Sequence, residues 1–271
     1  MAVYLDTSVF DHLYKKIGCT AADIANLRKQ IYGRELSILL SIHTLEEILL
    51  DRKARPELLV ARIKLTLSLG NFRRMVKPCD QLLIDDIRAY AEGGAAARPF
   101  IDTKLQNVMS EGIAALVESD GEELDEDMVA ALETARSQRG WFRDRPKTNG
   151  DARENTTSIS FDYYCRRELP HLLEAQAQCA GVLESCRARG IDGLLNLPSV
   201  RAATHLALAA GYDRASSSTE SILADFCHVP CAAAVAETLV SDSPQLHQVL
   251  ARASLANLEL LDLAGLMKKV A

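Results

Sequence analysis

The hydrophobic residues at the start of the chain change their spacing at Asp6. Residues 2–5 (AVYL) form a continuous apolar run, whereas residues 9–16 repeat apolar positions at the spacing of a helix. Asp6, Thr7 and Ser8, which lie between the two, are residue types that cap helices. The pattern predicts a strand that leads directly into a helix.

The same order of strand and helix continues along the first fifty residues. Helical spacing over 21–32 ends at Gly33, and 36–41 (LSILLS) is an apolar run typical of a strand buried on both faces. Helical spacing then resumes at once. This rhythm predicts a parallel sheet, whose functional groups gather at the carboxyl ends of the strands, and both Asp6 and Glu47 follow such ends.

The middle of the chain shows helical spacing and no convincing strand, which predicts a helical insertion in an α/β protein. We expect residues 1–98 and 199–271 to form the two parts of the core and residues 99–198 to form the insertion. Beyond residue 55 the expected helices are 56–69, 80–91, 104–117, 125–136, 170–189, 199–210 and 222–236, and the expected strands are 72–76, 238–240 and 258–261.

The composition is that of a globular protein with an ordinary core. Of 271 residues, 48% are hydrophobic and 25% are charged, and the net charge of -6 argues against a surface that binds nucleic acid everywhere. No apolar stretch is long enough to cross a membrane, and Asp6 interrupts the place where a secretory signal would be apolar. We therefore expect a cytoplasmic protein with no membrane partner.

The seven cysteines are odd in number and have no repeated spacing, which predicts reduced and mostly buried thiols. Cys227, His228 and Cys231 lie close together, but no second Cys/His pair follows at the spacing of zinc ligands.

Four acidic residues lie at the boundaries of predicted elements. Asp6 and Glu47 follow the first two strands, Asp225 opens a late helix, and Asp242 follows the strand 238–240. Partly buried carboxylates repel one another, so a cluster of them is costly unless a hard divalent cation neutralises it. Mg2+ or Mn2+ would do so and would also activate a water for phosphodiester hydrolysis.

At these acids the sequence resembles the PIN-domain nucleases. The matching segments are VYLDTSVFDHL, LSIHTLEEIL and ADFCHVPCAAAVAETLVSDSPQL. The first carries Asp6-Thr7-Ser8, the second carries a Ser six residues before Glu47, and the third carries Asp225 and Ser241-Asp242. Glu46, next to Glu47, should point to another face of its helix.

The resemblance implies a three-layer α/β/α sandwich with a central parallel sheet and the helical insertion. It implies a metal-dependent nuclease, with RNA favoured over DNA, in which Asp6, Glu47, Asp225 and Asp242 hold one or two Mg2+ or Mn2+ ions. Residues that would support them are Thr7, Ser8, Ser241 and, through an Asp-x-x-His spacing, His228. On spacing alone, His228 is equally well explained as a histidine buried on an apolar helix face. Members of the family often have an antitoxin-like inhibitor and often form dimers.

Two features depart from the family pattern: the long insertion, and a Ser after Asp242 where a further Asp or Asn is often found. Each acid also has a structural explanation, because Asp6 and Asp225 can cap helices and Glu47 can be solvated. The order of all four is better explained by the family pattern. The alternatives are a catalytically inactive PIN-like module that binds nucleic acid or protein, and an all-helical scaffold without a parallel sheet.

Two basic stretches have the composition of a surface that follows a phosphate backbone. One spans residues 52–77, and the other spans 136–153 around Trp141 and Phe142. The acidic run 111–127 would repel nucleic acid.

Overall fold

A computed structural model describes residues 1–50, 56–122, 125–137, 180–211, 219–253, 255 and 257–271. The protein is mixed α/β and mostly helical. The elements in chain order are β1 Ala2–Leu5, α1 Thr7–Lys15, α2 Ala21–Tyr32, β2 Ser37–Leu39, α3 Ile42–Leu50, α4 Pro56–Leu69, a 3₁₀ turn Phe72–Arg74, α5 Cys79–Ala91, α6 Thr103–Glu118, α7 Glu126–Ser137, α8 Ala180–Arg189, α9 Ile191–Leu194, α10 Pro198–Gly211, α11 Thr219–Val235, β3 Thr238–Val240, α12 Pro244–Ala253, β4 Glu259–Leu261 and α13 Leu263–Val270.

The strands of the described residues form one parallel sheet in the order β2-β1-β3-β4. β1 is central, and Val3 pairs with Ile38 on one side and with Thr238 on the other. The two middle strands therefore come from opposite ends of the chain. Because Leu5 is in register with Val240, the residues that follow these two strands lie side by side.

Side chains alternate between the two faces of the sheet and belong to different hydrophobic clusters. Tyr4 and Leu39 pack with residues of α5, α10, α11 and α12, whereas Val3, Leu5 and Ile38 pack with residues of α1, α2 and α13. This is the alternation with period two that a strand requires. The parallel sheet rules out the all-helical scaffold.

The prediction of a strand at 72–76 is wrong. Residues 72–74 form the 3₁₀ turn, and Val76 alone makes isolated bridges, to Ser41 and to Phe100. Consecutive charged Arg73 and Arg74 do not fit a buried strand, and both are exposed.

The prediction that Asp225 opens a helix is also wrong. α11 begins at Thr219, so position 225 lies in its second turn. Glu220, Ile222 and Leu223 are compatible with a helix, and the helix extends over them. The part of the predicted basic stretch around Trp141 and Phe142 lies outside the described residues.

The described start of the predicted insertion packs directly on the core. α6 and α7 contribute Ile113, Met128 and Leu132 to a third hydrophobic cluster that also contains Leu45 and Ile48 of α3. The division of the chain at residues 98 and 198 remains a prediction. None of the described helices combines the length and the apolar character that crossing a bilayer would require.

Candidate acidic site at the carboxyl edge of the sheet

Asp6 lies at the junction of β1 and α1 and is 2% exposed. Its Oδ1 accepts a hydrogen bond from the Ser8 backbone N–H at 2.5 Å, which caps α1. Its Oδ2 accepts a hydrogen bond from the hydroxyl of Ser241, the residue after β3. The structure thus joins two of the predicted site residues, which are 235 positions apart.

Asp242 lies beside this pair and is held by three contacts. Its Oδ1 accepts a hydrogen bond from Leu263 N–H at 2.9 Å, and its own N–H donates to Ser8 Oγ at 3.2 Å. Its Oδ2 lies 2.6 Å from Nδ1 of His12, which keeps 34% of its side chain exposed. Sequence reasoning missed His12, because its position in α1 has no recognisable spacing relative to Asp242.

Glu47 lies in the second turn of α3 and contacts His228 of α11. The distance from Glu47 Oε2 to His228 Nε2 is 3.3 Å. An ionised carboxylate only accepts hydrogen bonds, so Nε2 carries the proton. His228 is 1% exposed, so it is a buried histidine, and it contacts Glu47; its supporting role in a metal site remains a prediction.

A chain of buried polar groups continues from His228 into the sheet. Its Nδ1 lies 2.7 Å from the hydroxyl of Tyr4, which lies 2.6 Å from Ser41 Oγ. Tyr4 has one proton for these two neighbours. When Tyr4 donates to Ser41, Nδ1 donates to Tyr4 and the imidazole is cationic; when Tyr4 donates to Nδ1, the imidazole is neutral.

The pKa of Glu47 is lowered despite its burial. Burial has the largest single effect and raises this pKa, but it is outweighed by the combined effects of the His228 charge, the hydrogen bonds of His228 and Thr7, and the charge of Arg136. Burial also raises the pKa of Tyr4 well above its usual value. Glu47 is therefore anionic and Tyr4 neutral at neutral pH.

Glu46 points to another face of α3, as the helical geometry predicted, and it is the more buried of the two glutamates. Its side chain is 2% exposed, against 19% for Glu47. His43 Nδ1 lies 3.7 Å from Glu46 Oε2, and Arg136 Nε of α7 lies 3.9 Å from Glu46 Oε1. Local spacing does not predict this burial, since α7 is distant from α3 along the chain.

Asp225 is in α11 one turn before His228, but its side chain lies outside the described residues. Of the described acids, Asp6 and Asp242 follow the neighbouring strands β1 and β3, whereas Glu47 lies on helix α3 and contacts His228. Thr7, between Asp6 and the supporting Ser8, is half-buried.

The donors match Mg2+ or Mn2+ in chemical type, since carboxylate oxygens are the ligands these ions prefer. Among the described side chains, no group of three or more His, Cys, Asp and Glu has the arrangement to hold a metal ion. The predicted set of four includes Asp225, so the metal site remains a prediction.

The described cysteines are free thiols. Cys79, Cys186, Cys227 and Cys231 are buried, and Cys19 is partly exposed, as expected for reduced cysteines.

No protein-family model, curated protein or solved structure matches the chain. The function of the site has to be inferred from its own residues.

Proposed function

We propose that the protein is a metal-dependent nuclease with a PIN-like three-layer α/β/α fold. The observation that supports this most directly is the link from Ser241 to Asp6, next to Asp242, at the carboxyl edge of a parallel sheet. The resemblance implied that these residues, from opposite ends of the chain, belong to one site. Hydrophobic clusters on both faces of the sheet support the three layers.

The residues that would hold the ion are Asp6, Glu47, Asp225 and Asp242. Bound Mg2+ or Mn2+ would supply an activated water and would stabilise negative charge on the phosphate and the leaving oxygen.

The protein's own groups orient the carboxylates. Ser8 N–H and the Ser241 hydroxyl fix Asp6, and His12 and Leu263 N–H fix Asp242. His228 fixes Glu47 in the same way. Ligands whose orientation is set by neighbouring donors lose less freedom when they bind an ion.

The substrate class and the partners belong to the same proposal. RNA is favoured over DNA. An antitoxin-like or other protein partner, a homodimer and a cytoplasmic location are the accompanying predictions.

The test is cleavage of labelled single-stranded RNA and DNA by the full chain, with Mn2+, with Mg2+ and with EDTA. We expect cleavage that requires the metal and falls at least about 100-fold in Asp6→Asn. Asp102→Asn is the matched control, because Asp102 also caps a helix, accepting from Leu105 N–H at 2.8 Å, but is exposed. Cleavage that persists in EDTA, or equal losses in the two variants, would contradict the proposal.

A second candidate is the catalytically inactive module that binds nucleic acid or protein. The observation that favours it is that Asp6 and Asp242 each use both carboxylate oxygens on protein donors. A purely structural acid would be held in this way. This candidate predicts that RNA binds without being cut and that Asp6→Asn leaves its affinity unchanged.

A further inference from the structure

Helix α7 brings part of the predicted insertion to the candidate site. Leu132 and Ala135 on one face of α7 are buried in the same cluster as Leu45 and Ile48 of α3. α3 also carries Glu46 and Glu47, so a residue at the end of α7 is held at a fixed position beside these glutamates.

That residue is Arg136. Its Nε lies 3.9 Å from Glu46 Oε1, while 58% of its side chain is exposed. A distance of 3.9 Å is longer than a hydrogen bond, so this contact with Glu46 occupies none of the five guanidinium N–H donors. Its charge also reaches Glu47, whose pKa it helps to lower.

Two other cations of the described core, Arg62 and Lys77, are already paired. Arg62 forms an ion pair with Asp11 and has 18% of its side chain exposed, and Lys77 donates to Asp85 at 2.6 Å. Arg136 differs from both, because more of its side chain is exposed and its acidic neighbour, Glu46, lies beyond hydrogen-bond distance.

Neutralising Glu46 accounts for only part of this arrangement. His43 Nδ1 lies 3.7 Å from Glu46 Oε2, but His43 Nε2 accepts a hydrogen bond from Cys79 N–H, so the imidazole is neutral and Arg136 is a cation beside this buried carboxylate. A residue whose only role was to neutralise Glu46 would place its N–H groups on the carboxylate, as Arg62 does on Asp11.

We propose that Arg136 binds a phosphate of a single-stranded nucleic acid next to the acidic site, so that the insertion contributes to substrate affinity. The inference rests on the proposed function for the identity of the substrate. A guanidinium group can donate two parallel hydrogen bonds to the oxygens of one phosphate. Several carboxylates repel a nucleic acid, so a cation beside them is needed to bind its phosphates.

The experiment measures binding in EDTA, where metal-dependent cleavage does not interfere. The probe is a fluorescein-labelled single-stranded RNA, and its anisotropy is followed against protein concentration at several salt concentrations. The proteins are the wild-type chain, Arg136→Ala, Arg136→Lys and the control Arg88→Ala. Arg88 is also an exposed arginine in the last turn of a helix. It lies far from the glutamates of α3: α5 begins at Cys79, which contacts His43, and Arg88 is about 13 Å further along the helix axis.

We expect Arg136→Ala to weaken binding about tenfold and to reduce the slope of log affinity against log salt by about 0.7, the contribution of one phosphate contact. Arg136→Lys should retain most of the affinity, and Arg88→Ala should match the wild type. Unchanged affinity and slope in Arg136→Ala would overturn the inference, as would failure of the wild-type chain to bind the RNA.

Two further readouts separate this inference from its alternatives. A thermal midpoint of Arg136→Ala that falls while affinity and slope stay the same would show a structural role and overturn the inference. Wild-type protein that binds RNA but never cuts it with Mn2+ would overturn the nuclease proposal, yet an Arg136→Ala effect in EDTA would still support the phosphate contact.

Discussion

At the residue scale, Asp6 has two roles that follow from its place between β1 and α1. One oxygen caps the helix through Ser8 N–H, and the other accepts from Ser241. An N-cap contributes about 1 kcal/mol to stability, so Asp6 serves folding as well as the site. For this reason the loss of activity in Asp6→Asn has to be compared with the loss in a variant of another capping aspartate, Asp102→Asn.

Tyr4→Phe is expected to weaken the support that His228 gives to Glu47, although the change leaves Glu47 itself in place. The change removes the hydroxyl between His228 Nδ1 and Ser41, and leaves those two buried groups without this partner. We expect the free energy of unfolding to fall by about 1–3 kcal/mol and kcat for RNA cleavage to fall more than KM changes. Urea unfolding and cleavage at saturating RNA measure the two effects.

Tyr90→Phe is the control for this prediction. The Tyr90 hydroxyl donates to Gly190 O at 2.6 Å, and its hydrogen bond lies on the side of α5 facing α8 and α9. The Tyr90→Phe variant should have a lower free energy of unfolding than the wild type and the same kcat. If Tyr4→Phe behaves in the same way, the chain from Ser41 to Glu47 has a structural role alone.

The sequence predicts positions whose signal is local. Asp6 and Asp242 follow short apolar strands, and both lie at the carboxyl edge. The contacts of His12 and Tyr4 were missed, because each has a partner from a distant segment and no spacing that marks it. Arg136 was predicted as part of a basic stretch, but its position beside Glu46 was not. Long-range contacts of single side chains are set by packing.

At the element scale, the contact between α3 and α7 fixes how the described part of the insertion meets the core. Gly112 of α6 permits the neighbouring approach of α7, since a Cβ there would lie 2.8 Å from Met128 Sδ. The surroundings of Glu46 and Glu47 therefore depend on how α6 and α7 pack on α3.

Leu132→Ala should test this packing. Leu132 is completely buried in the cluster of α3, α6 and α7, and its truncation is expected to lower the free energy of unfolding by about 2–5 kcal/mol. Glu133→Ala, at the next and exposed position of α7, should change it by less than about 0.5 kcal/mol. Equal effects of the two changes in urea unfolding would contradict the packing of α7 on α3.

Asp86 connects α5 with the start of α10. It is 2% exposed, its Oδ1 accepts from Ala97 N–H at 2.8 Å, and its Oδ2 accepts from the Ser199 hydroxyl. Burial raises the pKa of Asp86 above its ordinary 3.8, although both hydrogen bonds oppose this. The native state therefore holds the Asp86 proton more tightly than the unfolded state does.

This sets the sign of a pH dependence. The raised pKa contributes stability that is complete below the unfolded pKa of 3.8 and is lost as pH rises through the folded pKa. Asp86→Asn removes the titration, and its amide can still accept from Ala97 N–H and donate to Ser199. The expected measurement is the difference in free energy of unfolding, wild type minus Asp86→Asn. This difference should fall as pH rises from about 4 to about 7. A difference that stays constant or rises over this range in urea unfolding would refute the effect.

Elements with a strong local pattern were predicted well. The strand 238–240 and the helices 21–32 and 56–69 have the predicted bounds. The prediction of a strand at 72–76 was wrong. Val76 is buried and forms two isolated bridges, and a single residue of this kind produces the same short apolar signal as a strand. The helix predicted from 222 begins earlier, at Thr219.

At the scale of the whole molecule, the order β2-β1-β3-β4 gathers carboxylates from both ends of the chain. The parallel sheet was predicted from the rhythm of strand and helix. The strand order was not, since it depends on which distant strand pairs with β1.

Mn2+ should stabilise the whole chain if the four acids share an ion. At a concentration about 100 times the Kd, a ligand of the native state adds about 2.7 kcal/mol, which for a chain of this size raises the thermal midpoint by several degrees. We expect this rise in wild-type protein and its loss in Asp242→Asn, with Asp262→Asn as the control at a helix cap. The same rise in all three proteins would refute a site that includes Asp242.

The central position of β1 also determines when the protein can fold during its synthesis. β1 leaves the ribosome before the other strands, but its partner β3 is made about 235 residues later, as is Ser241, which donates to Asp6. Closing so long a loop makes the pairing a late event, and until then one edge of β1 lacks its native partner. The nascent chain therefore cannot assemble the acidic site, and a break that removes the segment from β3 onward would separate Asp6 from Asp242 and expose the middle of the sheet.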